Sequence, residues 1–167
     1  MRKILLVIDM QNDFIDGSLG SAEAENIVQN VINKIKEYPS ENVFATKDTH
    51  EANYLSTSEG RHLPVEHCIR GSEGWDIRPE ISSLIPSENV YEKGTFGSVK
   101  LAEKVAEMAH KEEIAIEMVG LCTDICVVSN ALLIKAYLPE IPISVDSSCC
   151  AGVTPEKHNA ALETMRS

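Results

Sequence analysis

Short apolar runs alternate along the chain with longer amphipathic stretches. Lys3 to Asp9 contains Ile4-Leu5-Leu6-Val7-Ile8, an unbroken apolar run that stops on an acid, as a strand buried on both faces does. From Glu23 to Tyr38, Ile27, Val28, Val31, Ile32 and Ile35 fall on one face of a helix. Asn42 to Thr46 predicts a second strand and Asn89 to Glu92 a third. Ser98 to His110 predicts a helix carrying Leu101, Ala102, Val105 and Ala109 on one side. Ile114 to Val119 reads as a fourth strand, and Ile125 to Leu138 as a helix stopped by Pro139. Ile141 to Val145 is the fifth strand. Thr154-Pro155 opens a last helix, with Thr as N-cap and Pro in the first turn.

Strands that alternate with helices predict an α/β fold: a parallel sheet between two layers of helices, in one domain spanning residues 1–167. One stretch departs from the alternation. Asp48 to Pro86 has little helical or strand pattern and reads as a long loop, and loops of that length in a compact domain are usually functional. In open parallel sheets, ligands bind beyond the carboxyl ends of the strands. Asp9, Asp48, Lys93, the loop before Cys126, and Asp146 all stand at such ends, so they are predicted to converge on one pocket.

Composition narrows the partners. The chain has 26 acidic and 15 basic side chains, a formal net charge of −11. It has no basic surplus to replace phosphate counterions, which argues against nucleic acid and anionic membranes. No apolar run is long enough to span a bilayer. The apolar run after Arg2-Lys3 is followed by no small-residue cleavage site, so it reads as a strand and not as a signal peptide. Five cysteines (68, 122, 126, 149 and 150) form an odd set, expected to be reduced thiols in a cytoplasmic protein.

Candidate chemistry gathers at the strand ends. Cys126 closes Gly120-Leu121-Cys122-Thr123-Asp124-Ile125-Cys126, a strand-to-helix junction. A thiol at a helix start feels the positive end of the helix dipole, and backbone N–H groups there can receive an oxyanion. A buried packing cysteine is the competing reading. Asp9 is placed to take a proton from a thiol, or else to cap a turn. Lys93, in Glu92-Lys93-Gly94-Thr95-Phe96-Gly97-Ser98, would stabilise a thiolate if the loop turns it inward, and is otherwise a surface lysine. Asp48, His50 and His67 suit Zn²⁺, Fe²⁺ or Mn²⁺, with Glu59 as a fourth ligand and His62 as a rival. Cys122 and Cys126 lack the spacing of a redox pair, and Cys149-Cys150 reads as packing.

Five segments in order extend the reading: Asp9-Met10-Gln11-Asn12-Asp13-Phe14, Asp48-Thr49-His50, Leu63-Pro64-Val65-Glu66-His67-Cys68, Glu92-Lys93-Gly94-Thr95-Phe96 and Thr123-Asp124-Ile125-Cys126-Val127. Together they resemble the nicotinamidase and isochorismatase-like cysteine hydrolase family over nearly the whole chain. The resemblance implies a catalytic triad of Asp9, Lys93 and Cys126, and an oxyanion hole from the backbone amides of Cys122 and Cys126 beside a cis Leu121–Cys122 bond. It also implies one divalent metal ion, zinc first and iron or manganese as alternatives, on Asp48, His50, Glu59 and His67. The implied activity is amide hydrolysis through a cysteine thioester, with nicotinamide as the first candidate substrate and Phe14 and Leu63 lining its site. Nicotinamidases often carry an aromatic residue where this chain has Leu63. Other small amides or carbamoyl compounds, vinyl-ether hydrolysis of the isochorismatase type, and a non-catalytic binding role therefore stay open. Family members often self-associate, which makes a homo-oligomer the expected state. They also usually add a strand after the last helix; this chain ends at Ser167, so five or six strands are expected.

Overall fold

A computed structural model describes all 167 residues. Five strands form one sheet: β1 (Arg2–Ile8), β2 (Val43–Asp48), β3 (Val90–Lys93), β4 (Ile114–Leu121) and β5 (Ile143–Ala151). Every neighbouring pair is parallel, in the spatial order β3-β2-β1-β4-β5. The chain builds outward from β1 in one direction, then returns to β1's other side with β4. The point where strand order reverses therefore lies between the carboxyl ends of β1 and β4, where such sheets bind ligands.

The helices are α1 (Asn12–Ile15), α2 (Ala22–Ile35), α3 (Ser58–His62), α4 (Pro79–Ser82), α5 (Val99–Ala109), α6 (Val128–Tyr137) and α7 (Pro155–Arg166). They cover both faces of the sheet, and β1 shows how. Leu5 and Val7 join one apolar cluster with Ala24, Ile27, Val31 and Ile35 of α2, while Ile4, Leu6 and Ile8 join a second with residues of α5 and α6. Period-two alternation sends successive side chains to opposite faces, and both faces are apolar, which is why the run is unbroken. Each fully buried aliphatic side chain stabilises by about 1.5–3 kcal/mol relative to exposure. The helix starts follow their caps: Ser21, Ser98 and Thr154 accept the backbone N–H groups of Ala24, Leu101 and Lys157. None of the helices is long and apolar enough to cross a membrane.

The segment predicted as a loop is partly ordered into short turns. α3 is capped by the Thr57 hydroxyl, and Tyr54–Ser56 forms a 3-10 turn. Elements of a single turn carry no readable periodicity, so the sequence pattern misses them. β5 departs more. It begins at Ile143 and runs on to Ala151, with a register irregularity between Met118↔Val145 and Gly120↔Cys150. The polar run Asp146-Ser147-Ser148 reads as a strand end but lies in this irregular stretch of an edge strand, where exposed polar residues are tolerated. Asp146 is therefore not at the site. Its carboxylate lies 3.0 Å from Lys34 of α2.

Candidate active site

β1, β2 and β3 each end on, or one residue before, a charged side chain, and these three meet. Asp9 follows β1 with φ +47°, a left-handed conformation that Asp tolerates better than most residues. Its position is fixed by Thr46 of β2: the Thr46 hydroxyl donates to Asp9 Oδ1 at 2.7 Å and accepts the Asp9 N–H at 3.2 Å. Lys93 closes β3, in register with Asp48. Its Nζ lies 2.8 Å from Asp9 Oδ2, 3.5 Å from Asp48 Oδ1 and 3.4 Å from Cys126 Sγ, and it donates to the Thr95 carbonyl at 3.0 Å. Lys93 is not a surface residue, for its side chain is 2% exposed.

Cys126 sits in a π-helical turn, Thr123–Val127, that leads into α6. β4 delivers it. Gly120 has φ +125°, and any Cβ there would run into the Ile8 carbonyl, so only glycine lets β4 end this close to β1. The Leu121–Cys122 bond that follows is cis, as the family resemblance implies. The Cys122 carbonyl then accepts the N–H groups of Ile125 and Val127, which closes the turn around Cys126.

Burial governs the protonation states. It pushes the Asp9 carboxyl above its ordinary value, and the nearby Asp48 charge adds to this, while Lys93 and Thr46 pull only part of the way back. Burial and the Asp9 charge likewise push the Cys126 thiol well up, against the pull of Lys93. For Lys93, burial opposes charge, but Asp9, Cys126 and Asp48 outweigh it and hold the ammonium. The thiol is thus pushed up and not down at this helix start, beside a carboxylate that burial also makes more basic. That arrangement suits proton transfer from Cys126 to Asp9.

Asp48 also belongs to a second group. Its Oδ2 lies 3.0 Å from His50 Nε2 and 3.5 Å from His67 Nε2. Glu59 Oε1, brought by α3, lies 3.6 Å from each imidazole Nε2. A tetrahedral ion with ligand bonds of ~2.0–2.1 Å would hold its donors about 3.3 Å apart, so these spacings fit a zinc-sized cation. His67 Nδ1 is 2.8 Å from the Val65 carbonyl, which directs the Nε2 lone pair inward, and Tyr54 packs its ring against both imidazoles. Two carboxylates facing two imidazoles call for positive charge between them. Burial raises Asp48, but the histidine contacts and Lys93 outweigh it and hold the carboxyl low. Burial lowers His67, but the neighbouring carboxylates of Asp48 and Glu59 outweigh it and bring it up to about 10.

The other candidates sort themselves. Phe14 is buried with its ring 5.5 Å from His67. Leu63, half exposed at the end of α3, gives its carbonyl to the Tyr54 hydroxyl. His62 is exposed and bonds to the Ser58 carbonyl, so it is no rival ligand. Sequence reading misses Tyr54 and Gln11. The Gln11 side chain donates to the carbonyls of Asp48 and Trp75 and accepts the Asp48 N–H, fixing the residue shared by both groups. Gln11 lies within the Asp9-to-Phe14 segment quoted above, but nothing in that segment assigns its side chain a role.

Comparison with known proteins shows the family and the fold. The Isochorismatase domain matches residues 3–167. The isochorismatase family protein PncA of Bacillus subtilis is 29% identical over 97% of this chain and 93% of its own length. A crystal structure of nicotinamidase/pyrazinamidase PncA from that organism matches with a TM-score of 0.82 at 28% identity, covering 99% of this chain and 95% of the other. The nicotinamidase of Schizosaccharomyces pombe is 25% identical over 97% of this chain and 88% of its own length. The pyrazinamidase of Pyrococcus horikoshii, solved in complex with zinc, has the same fold: TM-score 0.80 at 23% identity, covering 99% and 95% of the two chains. Its fold and its sequence agree: the chain belongs to the isochorismatase domain family, a hydrolase of the group whose nicotinamidases are amidohydrolases acting on C–N bonds.

Proposed function

We propose that this protein is a cysteine amidohydrolase that converts nicotinamide to nicotinate and ammonia. The observation that carries the reading is the position of Lys93, whose ammonium touches the Asp9 carboxylate at 2.8 Å and the Cys126 sulfur at 3.4 Å. Asp9 takes the thiol proton from Cys126, and Lys93 stabilises the thiolate as it forms. The thiolate adds to the amide carbonyl, and the backbone amides of Cys122 and Cys126 receive the oxyanion. Collapse breaks the C–N bond, and the proton on Asp9 leaves with ammonia. Asp9, again a carboxylate, draws a proton from the water that attacks the thioester, and returns it to the cysteine as the acid departs. Phe14, beside His67, and Leu63 are the proposed walls for the substrate ring.

Asp48, His50, His67 and Glu59 are the proposed holders of a divalent ion. Zinc is preferred for its four donors of this kind, and iron or manganese also suit them. When bound, such an ion supplies Lewis-acid chemistry, toward either a water or a ring nitrogen of the substrate.

The test is ammonia release from nicotinamide, pyrazinamide and small carbamoyl amides, with Cys126→Ala as control. Nicotinamide turnover that falls at least about a thousandfold in the variant supports the proposal. Release at the wild-type rate from Cys126→Ala sinks the nucleophile. Turnover confined to carbamoyl compounds keeps the chemistry and moves the substrate away from nicotinamide.

A further inference from the structure

One buried polar side chain near the nucleophile has no part in the steps above. Asn130 is completely buried in the first turn of α6, four residues after Cys126. Its Nδ2 donates to the Cys126 carbonyl at 2.8 Å and to the Phe96 carbonyl at 3.3 Å. Its Oδ1 accepts the Ser98 N–H at 2.9 Å. Phe96 and Ser98 belong to the loop that leaves β3 at Lys93 and enters α5, where Ser98 caps the helix. Apart from Lys93 itself, Asn130 is the one side chain that hydrogen-bonds both this loop and the turn holding Cys126.

We infer that Asn130 is a positioning residue that sets the Lys93–Cys126 contact. The loop from Lys93 to Ser98 folds back on the lysine, with Lys93 Nζ donating to the Thr95 carbonyl and the Thr95 hydroxyl to the Gly97 carbonyl. Its far end has to be anchored for that fold to place the ammonium. Asn130 provides the anchor from the nucleophile's own helix. A shift of the loop is thereby tied to a shift of the sulfur, and the 3.4 Å distance is preserved. An amide is the side chain that can do this, because the clamp needs two donated hydrogen bonds and one accepted, all in a dry site.

The inference rests on the cysteine-hydrolase reading, so the experiment reads Cys126 both with and without substrate. Asn130→Ala and the near-isosteric Asn130→Asp are compared with wild type. The aspartate keeps the acceptor for Ser98 but presents no donor to the two carbonyls. The measurements, per folded protein judged by circular dichroism and gel filtration, are kcat and KM for ammonia release, and the rate of Cys126 alkylation by iodoacetamide followed by mass spectrometry. Both variants are expected to lose about tenfold or more in kcat with KM within about twofold, because misplacing a catalytic group weakens the transition state more than binding. Alkylation is expected to slow by a similar factor, since the thiolate has lost its ammonium. Should Asn130→Ala fail to fold, Asn130→Asp decides alone. A folded variant that matches wild type in kcat and in alkylation rate overturns the inference, as does one alkylated faster than wild type. If wild type releases no ammonia from any amide, the functional proposal fails, while the alkylation comparison still decides the role of Asn130.

Discussion

A lysine with 2% side-chain exposure, set between two carboxylates and a thiol, is held by charge and not by packing. Removing one member of a buried ion pair leaves the other charge uncompensated, at a cost of about 3–5 kcal/mol. Lys93→Met is therefore expected to lose turnover and to melt roughly 6–20 °C lower, at about 2–4 °C per kcal/mol for a chain of this size. Calorimetry on the purified variant checks this, and an unchanged melting temperature would refute the picture of Lys93 as the counterion of Asp9. The role of Lys93 was only half legible in the sequence. Gly94 and Gly97 announced a tight loop, but most lysines near glycines face water. What turned this one inward is its register beside Asp48 and the facing Asp9 carboxylate and Cys126 sulfur, none of which local sequence encodes.

At the scale of elements, α2 is fastened to the sheet by more than its apolar stripe. Lys34 lies 3.2 Å from Glu117 of β4 and 3.0 Å from Asp146 of β5, and Tyr38 donates to Glu117 at 2.5 Å. The Asp146 and Glu117 contacts raise Lys34 from its ordinary 10.5, against a smaller cost of burial. That stabilisation is complete below 10.5 and is lost as pH rises through the raised folded value. Asp146 is pushed the other way: burial would raise it, but Ser148 and Lys34 outweigh that and hold it below 3.8. Its share is complete above 3.8 and is lost as pH falls through the depressed value. Lys34→Met should flatten the melting temperature against pH at the alkaline end and weaken the fall at the acid end. Identical curves for the two proteins would exclude the contribution. Sequence reading placed Asp146 at the pocket because it follows an apolar strand; the irregular β4–β5 register carried the strand past it.

For the whole molecule, the proposed ion links two parts of the chain. Asp48 and His50 come from the end of β2, Glu59 from α3 and His67 from the stretch beyond it. A ligand that binds only the folded state stabilises it by about 2.7 kcal/mol at a hundredfold excess over its dissociation constant. Zinc added to chelator-treated protein should then raise the melting temperature by roughly 5–10 °C, and His50→Ala should abolish the rise. A wild-type protein whose melting temperature ignores zinc, iron and manganese alike would remove the ion from the proposal.

The sequence by itself determined the layered α/β architecture, because unbroken apolar runs and one-sided helices have few ways to bury their surfaces. It also determined which chemical groups stand at the strand ends, since the end of each apolar run marks where a strand leaves the core. Only the tertiary structure decided which of those groups meet. The strand order β3-β2-β1-β4-β5 puts β2 and β4 on either side of β1, bringing Asp9, Lys93 and Cys126 together and leaving Asp146 with Lys34. It alone separated His50 and His67 from His62, because the direction of a loop histidine depends on one-turn elements too short to leave a pattern. Asn130 and Gln11 came to light for the same reason: their meaning lies in backbone groups that are distant in sequence and share a dry interior, where each must find a partner.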